Sequence, residues 1–196
     1  MADRAQLSGA VVLRRCGPAE ALENSGRLAE IYGLALGARA EPSEHFAATF
    51  RTCIQTYDGA TVLAAVSGGG EGQIVGFLYG YDLQLQHWWP QEVAGPLRAA
   101  GHGGWLSDAF ELVELQVHPA AQGRGVGTAL LTRQLVEMPH RRALLTADPE
   151  GRARVLYRRL GFRDLVPDFA YAGTAHRAAL MGWERATVPP AGRTGG

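Results

Sequence analysis

The stretch Glu114-Leu115-Gln116-Val117-His118-Pro119-Ala120-Ala121-Gln122-Gly123-Arg124-Gly125-Val126-Gly127-Thr128-Ala129-Leu130-Leu131 constrains the fold more than any other in the chain. A β-prone run enters a turn with three alternating glycines, and an apolar run of helical character leaves it. Glycine permits positive φ and close backbone approach, and the first helical turn offers unpaired N–H groups at the positive end of the helix dipole. The combination predicts an anion cradle. Nineteen basic residues balance nineteen acidic ones, so the formal net charge is zero and no global field recruits a polyanion. A phosphate-bearing ligand must therefore be held locally, and this turn with Arg124 is the place for it. The same balance argues against a nucleic-acid partner or an anionic membrane surface.

Around that turn the chain reads as alternating short elements. A strand over Ala10–Arg15 ends at Gly17-Pro18, and helical spacing follows from Ala19 to Leu36. Pro42-Ser43-Glu44 marks a second helix start, with Phe46, Phe50, Cys53, Ile54 and Tyr57 on one face. Thr61–Val66 and Gln73–Tyr81 read as a hairpin. Phe110–His118 is a strand, Val126–Met138 a helix, Ala143–Ala147 a strand and Arg152–Leu160 a helix. Phe169–Ala172 and Arg177–Trp183 read as closing strands. Residues 84–108 contain Trp88, Trp89, Pro90, Pro96, Trp105 and several glycines, which predicts an irregular insertion, either a lid or satellite packing. We expect one folded α+β domain over residues 10–185, with flexible tails at 1–9 and 186–196.

Other classes are disfavoured. No apolar run approaches the ~20 residues that span a bilayer, and no apolar h-region follows the N-terminus, so the cytoplasm is the default location. Cys16 and Cys53 lack disulfide or zinc-ligand spacing, and no metal is expected. All basic residues are Arg. A Walker loop or a kinase-type loop needs a Lys, which the chain does not have. A dinucleotide fingerprint needs Gly where Thr128 stands, and it should open a βαβ unit instead of following a hairpin. What remains is Gln-x-x-Gly-x-Gly, as Gln122, Gly125 and Gly127.

That pattern resembles the pyrophosphate-binding signature of the GNAT superfamily of acyl-CoA-dependent N-acyltransferases. Ala153-Arg154-Val155-Leu156-Tyr157-Arg158-Arg159-Leu160-Gly161-Phe162 resembles the family's second motif, Ala-x-x-x-Tyr-x-x-x-Gly-Phe, in the right order. The resemblance implies a three-layer α+β fold with a mixed, mostly antiparallel sheet of about seven strands and helices on both faces. It implies a motif strand that splays from its neighbour, with the main chain of Leu115 and Val117 pairing a pantetheine arm like an added strand. It further implies pyrophosphate binding by Gln122, Gly123, Arg124, Gly125, Val126, Gly127 and Thr128, with acetyl-CoA or another acyl-CoA as co-substrate. One departure is Glu150, where the family often has a pantetheine-contacting Asn.

The implied reaction is acyl transfer, most simply acetyl, to a primary amine of a small molecule. In that role Tyr157 protonates the departing thiolate; its alternative is a core tyrosine. An ammonium must lose a proton before it attacks, so a base is needed. Glu111 and Glu114 are three apart and fall on opposite faces of a regular strand. Glu114 then shares the more polar face with Leu112, Gln116 and His118, which favours it as the base, with Glu111 or ordered water as the other options. His118 reads as a loop residue, Asp148-Pro149 as a strand end, and Arg152, Arg154, Arg158 and Arg159 as a solvated helix face. Glu92, Asp108, Glu111 and Glu114 favour a cationic acceptor, and the tryptophans a ring-bearing one. Rival readings are a non-catalytic acyl-CoA-binding regulatory module, or an acyltransferase for a protein or peptide amine. Oligomeric state is not legible, a homodimer being one option.

Overall fold

The computed structural model describes residues 10–37, 42–68, 72–174 and 177–186. Of the expected tails, only Ala186 falls within the described residues. Thirteen elements run in the order β1 (Val11–Cys16), α1 (Pro18–Glu23), α2 (Ser25–Leu36), α3 (Ser43–Thr56), β2 (Thr61–Ser67), β3 (Ile74–Asp82), α4 (Trp88–Ala99), β4 (Ala109–Val117), α5 (Val126–Glu137), β5 (Arg142–Ala147), α6 (Arg152–Arg159), β6 (Arg163–Ala170) and β7 (Arg177–Glu184). The strands form one seven-stranded sheet ordered β1-β2-β3-β4-β5-β7-β6. Every neighbouring pair is antiparallel except β4 and β5. This is the expected α+β architecture.

Strand alternation sorts the core into two layers. Leu63, Ala65, Val75, Leu78, Phe110 and Leu112 point to one face and pack under Val126, Leu130, Leu131 and Leu135 of α5 and Tyr157 of α6. Val62, Ala64, Val66, Phe77, Tyr79 and Tyr81 point to the other, under α2 and α3. The predicted stripe of α3 is there, with Phe46, Phe50, Cys53 and Ile54 buried. The helix expected over Ala19–Leu36 is two: Asn24 leaves helical geometry, and both its amide N–H (3.1 Å) and its side-chain Nδ2 (2.8 Å) donate to Glu20 O, closing α1.

Residues 84–108 are more regular than expected. They form α4 and a 3-10 turn over Gly103–Leu106. Pro96 and Gly95 lower local helix propensity, but burial of Trp89, Pro90, Val93 and Leu97 along one side outweighs them. That side packs with Trp105, Leu144, Leu165 and Leu180. Cross-strand pairs share a face, and the chain of pairs Tyr81 to Glu111 to Leu144 places α4 on the same face as α2 and α3. Trp89 and Trp105 are core residues there, whereas Trp88 stays 63% exposed. The last antiparallel pair begins earlier than expected, because β6 starts at Arg163 and not at Phe169.

Two irregularities in β4 shape everything nearby. Tyr79 pairs with Glu114 while its neighbour Gly80 pairs with Leu112, so Val113 is an extra residue, a β-bulge. At Gly80 the strands come so close that a Cβ would lie 2.1 Å from Glu111 O and 2.6 Å from the Phe110 ring. The second irregularity is the pairing with β5, which covers only Ala109–Glu111 against Arg142–Leu144. Beyond Glu111, β4 follows β3 and β5 follows β7, and the two strands part. Gly80→Ala should therefore lower stability by about 1–3 kcal/mol through overpacking. Urea unfolding reads this as a lower midpoint; an unchanged midpoint contradicts the close approach.

Candidate active site

The gap between β4 and β5 is lined by backbone. His118 N–H donates to Val75 O at 2.8 Å, which fixes the alternation along the antiparallel pair. Residues bonded to β3 alternate with residues whose N–H and C=O face the opposite way. Leu115 and Val117 belong to the second set, so their main-chain groups face the gap, as the splayed-strand expectation requires. The Val117 carbonyl there accepts Gln122 Nε2 at 2.9 Å. The Gln122 side chain thus braces the strand end against the following turn, a role its place in the motif did not reveal.

That turn carries the chain from Val117 to α5 at the open end of the gap. Gly123 (φ 76) and Gly125 (φ 80) are left-handed, which only glycine adopts without strain. A Cβ on either would meet nothing within 4 Å, so open space lies beside the turn. Ala129 N–H closes the first helical bond onto Gly125 O at 2.9 Å. The amides of Val126, Gly127 and Thr128 precede it at the open end of α5. The residues expected to hold a pyrophosphate thus lie together on this turn and the first turn of α5, with Arg124 exposed among them.

Tyr157, on α6, is buried in the core on the α5 side of the sheet, with its ring 5.6 Å from Phe162. Burial first, and then the Glu114 charge, push its phenol well above the ordinary tyrosine range. The Tyr157 phenol therefore keeps its proton at neutral pH and lies close enough to β4 to feel the Glu114 charge. On the same helix, Arg154 and Arg158 pair with Asp164. Glu150, which replaces the expected Asn, has its N–H held by Asp148 Oδ1 at 3.0 Å. His118 Nδ1 accepts from Ala120 N at 3.2 Å, which makes it a cap of the 3-10 turn over Pro119–Ala121.

The two glutamates require a correction. The bulge at Val113 reverses the strand's phase, so Glu111 and Glu114 share one face instead of facing apart. Each pairs with a tyrosine of β3, Glu111 with Tyr81 and Glu114 with Tyr79, and both tyrosines lie under α2 and α3. A more polar face therefore does not single out Glu114 over Glu111. Glu114 is half-buried and accepts Gln116 Nε2 at 2.8 Å. Glu111 is 4% exposed. Its Oε1 accepts the Tyr81 hydroxyl at 3.2 Å, and its Oε2 has no hydrogen-bond partner among the described residues. Burial pushes its pKa up to about 8, against the opposing pull of the Tyr81 hydrogen bond. Tyr81 went unnoticed in the sequence because only the register of β3 on β4 brings it to Glu111.

Carboxylates thus sit on one side of the gap, with the phenol and the amide turn on the other. Among the described residues there is no cluster of three or more His, Cys, Asp or Glu that could hold a metal, and no helix long and apolar enough to cross a membrane.

Comparison with known proteins bears on this arrangement. A GCN5-like protein acetyltransferase of Mycobacterium tuberculosis, Rv2170, is 34% identical over 131 residues, 62% of this chain and 64% of that protein. The chain thus spans less than two thirds of the length of this relative. Among solved structures, the PaiA N-acetyltransferase of Thermoplasma acidophilum in complex with coenzyme A superposes with TM-score 0.57 at 13% identity, over 90% of this chain and 99% of that one. YncA of Salmonella typhimurium with its cofactor acetyl-CoA gives 0.60 at 18% identity, over 90% and 94% of the two chains. The ribosomal-protein-S18-alanine N-acetyltransferase of Escherichia coli gives 0.60 at 14% identity, over 92% and 97%. At such identities the likeness is one of fold. The family of acetyltransferase (GNAT) domains matches residues 58–164, which includes the hairpin, β4, the glycine turn, α5 and α6, and the chain belongs to that family.

Proposed function

We propose that this protein transfers an acetyl group from acetyl-CoA to a primary amine by direct attack, with donor and acceptor entering the β4–β5 gap from opposite faces of the sheet. The observation that carries the reading is the parting of β4 from β5 after three paired residues, with the open end of α5 at the mouth of the gap. A pantetheine arm carries amides that can pair with the exposed main chain of Leu115 and Val117. Its pyrophosphate then falls on the amides of the Gly123–Thr128 turn, where the dipole of α5 favours negative charge. The thioester comes to lie between Tyr157 and the glutamates.

In this reading Glu111, rather than Glu114, takes the proton from the incoming ammonium. A base works best with a pKa near the operating pH, and Glu111 titrates near 8 while Glu114 lies closer to solvent and draws the cation in. The neutral nitrogen attacks the thioester carbonyl, the C–S bond breaks, and the thiolate takes the Tyr157 proton. The nitrogen loses its second proton in the same collapse, and Tyr157 is reprotonated, so one proton per turnover goes to solvent. No acyl-enzyme is needed.

A small-molecule acceptor is supported by α4, which packs on the same face of the sheet as Glu111 and adds cover there. The name of the mycobacterial relative favours the second reading, an amine on a protein. A non-catalytic acyl-CoA sensor would have no use for a buried carboxylate and a protonated phenol on opposite sides of one gap.

Thiol release from acetyl-CoA with an amine panel tests the transfer itself; tight acetyl-CoA binding without release from any amine contradicts it. Tyr157→Phe should lower kcat by about 100-fold and leave the acetyl-CoA Kd within about twofold. Unchanged turnover removes the phenol from the reaction. With Glu111 as base, turnover at saturating amine should rise with pH through about 8 and level off above it, since only the ionised carboxylate accepts a proton. Glu111→Gln should abolish that limb. The same substitution has a second readout. Between its ordinary 4.5 and about 8 the native carboxyl holds a proton that the unfolded chain has lost, so stability falls as pH rises through that window. In Glu111→Gln that fall disappears; an unchanged pH dependence of unfolding contradicts the burial argument.

A further inference from the structure

The acceptor face has two aromatic walls, and one short bend of chain carries a ring of each. Tyr57, at the end of α3, stacks on His87 at 4.0 Å with planes 18° apart. Tyr81 meets Tyr57 edge-on at 4.5 Å and sends its hydroxyl to Glu111. Trp88, the residue after His87, opens α4 and stacks on Tyr171 at 5.7 Å with planes 16° apart. The Tyr171 hydroxyl is pinned by Thr146 Oγ1 at 2.9 Å and receives Trp89 Nε1–H at 3.2 Å. Thr146 belongs to the part of β5 that has already left β4, so this pin stands at the edge of the gap. Glu92, one turn along α4 from Trp88, holds the Ala172 N–H at 3.1 Å and ties the loop after β6 to the same wall.

Glu111 is joined to the first wall through Tyr81, whose hydroxyl it accepts and whose ring meets Tyr57 edge-on. Burial lifts the phenols of both Tyr57 and Tyr171; a smaller part comes from the Glu111 charge, after Cys53 at Tyr57 and against the hydrogen bonds of Thr146 and Trp89 at Tyr171. The Glu111 Oε2 atom is buried without a hydrogen-bond partner among the described residues. At the rim, Trp88 is 63% exposed although its indole is held parallel to Tyr171. A large apolar ring that is fixed in orientation and left in water offers a flat face for stacking.

We propose that the Trp88–Tyr171 and Tyr57–His87 pairs are the two walls of the acceptor subsite, and that this subsite selects a primary ammonium carried on a flat, apolar ring. The inference rests on the acyl-transfer reading above and names its acceptor class. The ammonium comes to the side of the gap that holds Glu111 and Glu114, while the ring of the same molecule lies on the exposed Trp88 indole. A bare alkylamine gains only the first contact. A lysine side chain also lacks a ring to stack.

The test compares 2-phenylethylamine, n-butylamine and a lysine-containing peptide in thiol release at saturating acetyl-CoA, with wild type, Trp88→Ala and Trp88→Phe. The expected wild-type preference in kcat/KM for 2-phenylethylamine over n-butylamine is about tenfold or more. Trp88→Ala should lower that ratio about tenfold through KM, and Trp88→Phe should restore most of it. Circular dichroism and the unfolding midpoint check that each variant folds. Thiol release without ring preference, a ratio untouched by Trp88→Ala, or preference for the peptide overturns this inference and leaves the transfer reading standing. No thiol release from any amine by wild type overturns both.

Discussion

The parallel pairing of β4 with β5 is the constraint on which the rest of the structure depends, because it is broken off so early. A parallel pair is held by regular main-chain hydrogen bonds, and a strand that leaves such a pair exposes N–H and C=O groups that need other partners. Here each strand keeps its other neighbour: β3 holds β4 along its length, and β7 holds β5. The sheet stays continuous in topology and opens in the middle. Only the turn at Gly123 and Gly125 lets the chain reverse from the end of β4 into α5, and Gln122 ties that turn to Val117. Strand edge, amide turn and helix terminus are thus one device.

The opening divides the chemistry by face. Tyr157 and the amide turn lie with α5 and α6; Glu111 and Glu114 lie with α2, α3 and α4. The bulge at Val113 performs that division. In a regular strand, residues three apart face opposite ways, and one of the two glutamates would have joined the α5 side. Gly80 allows the bulge, since no side chain fits between it and Glu111 O. The charge penalty of burying Glu111 is moderated by a single hydrogen bond from Tyr81, which leaves the carboxyl easily protonated and suits it to proton transfer.

Much of this was legible in the residues. The glycine turn with its flanking strand and helix was readable because glycine spacing, strand composition and helical periodicity all agreed there. The helix that carries Tyr157 was readable from the second motif, and the α3 stripe from its spacing. What failed were features decided by contacts distant in sequence. Nothing local marks Val113 as an extra residue, because the bulge exists only relative to β3, and so Glu111 and Glu114 read as facing apart although they share a face. α4 was obscured by Pro96 and Gly95, whose local penalty is outweighed when Trp89, Val93 and Leu97 are buried. The break at Asn24 depends on one side chain that hydrogen-bonds back to Glu20 O.

The central claim, that the parted strand and the glycine turn receive acetyl-CoA through main-chain groups, is tested most directly by amide hydrogen exchange with and without that ligand. Exchange reports each amide's own protection, and an N–H that gains a ligand acceptor slows. The account predicts slowing at Leu115, Val117, Val126, Gly127 and Thr128, while the β6–β7 pair on the other side of the gap stays unchanged. Saturating acetyl-CoA that leaves those five amides at their free rates contradicts it.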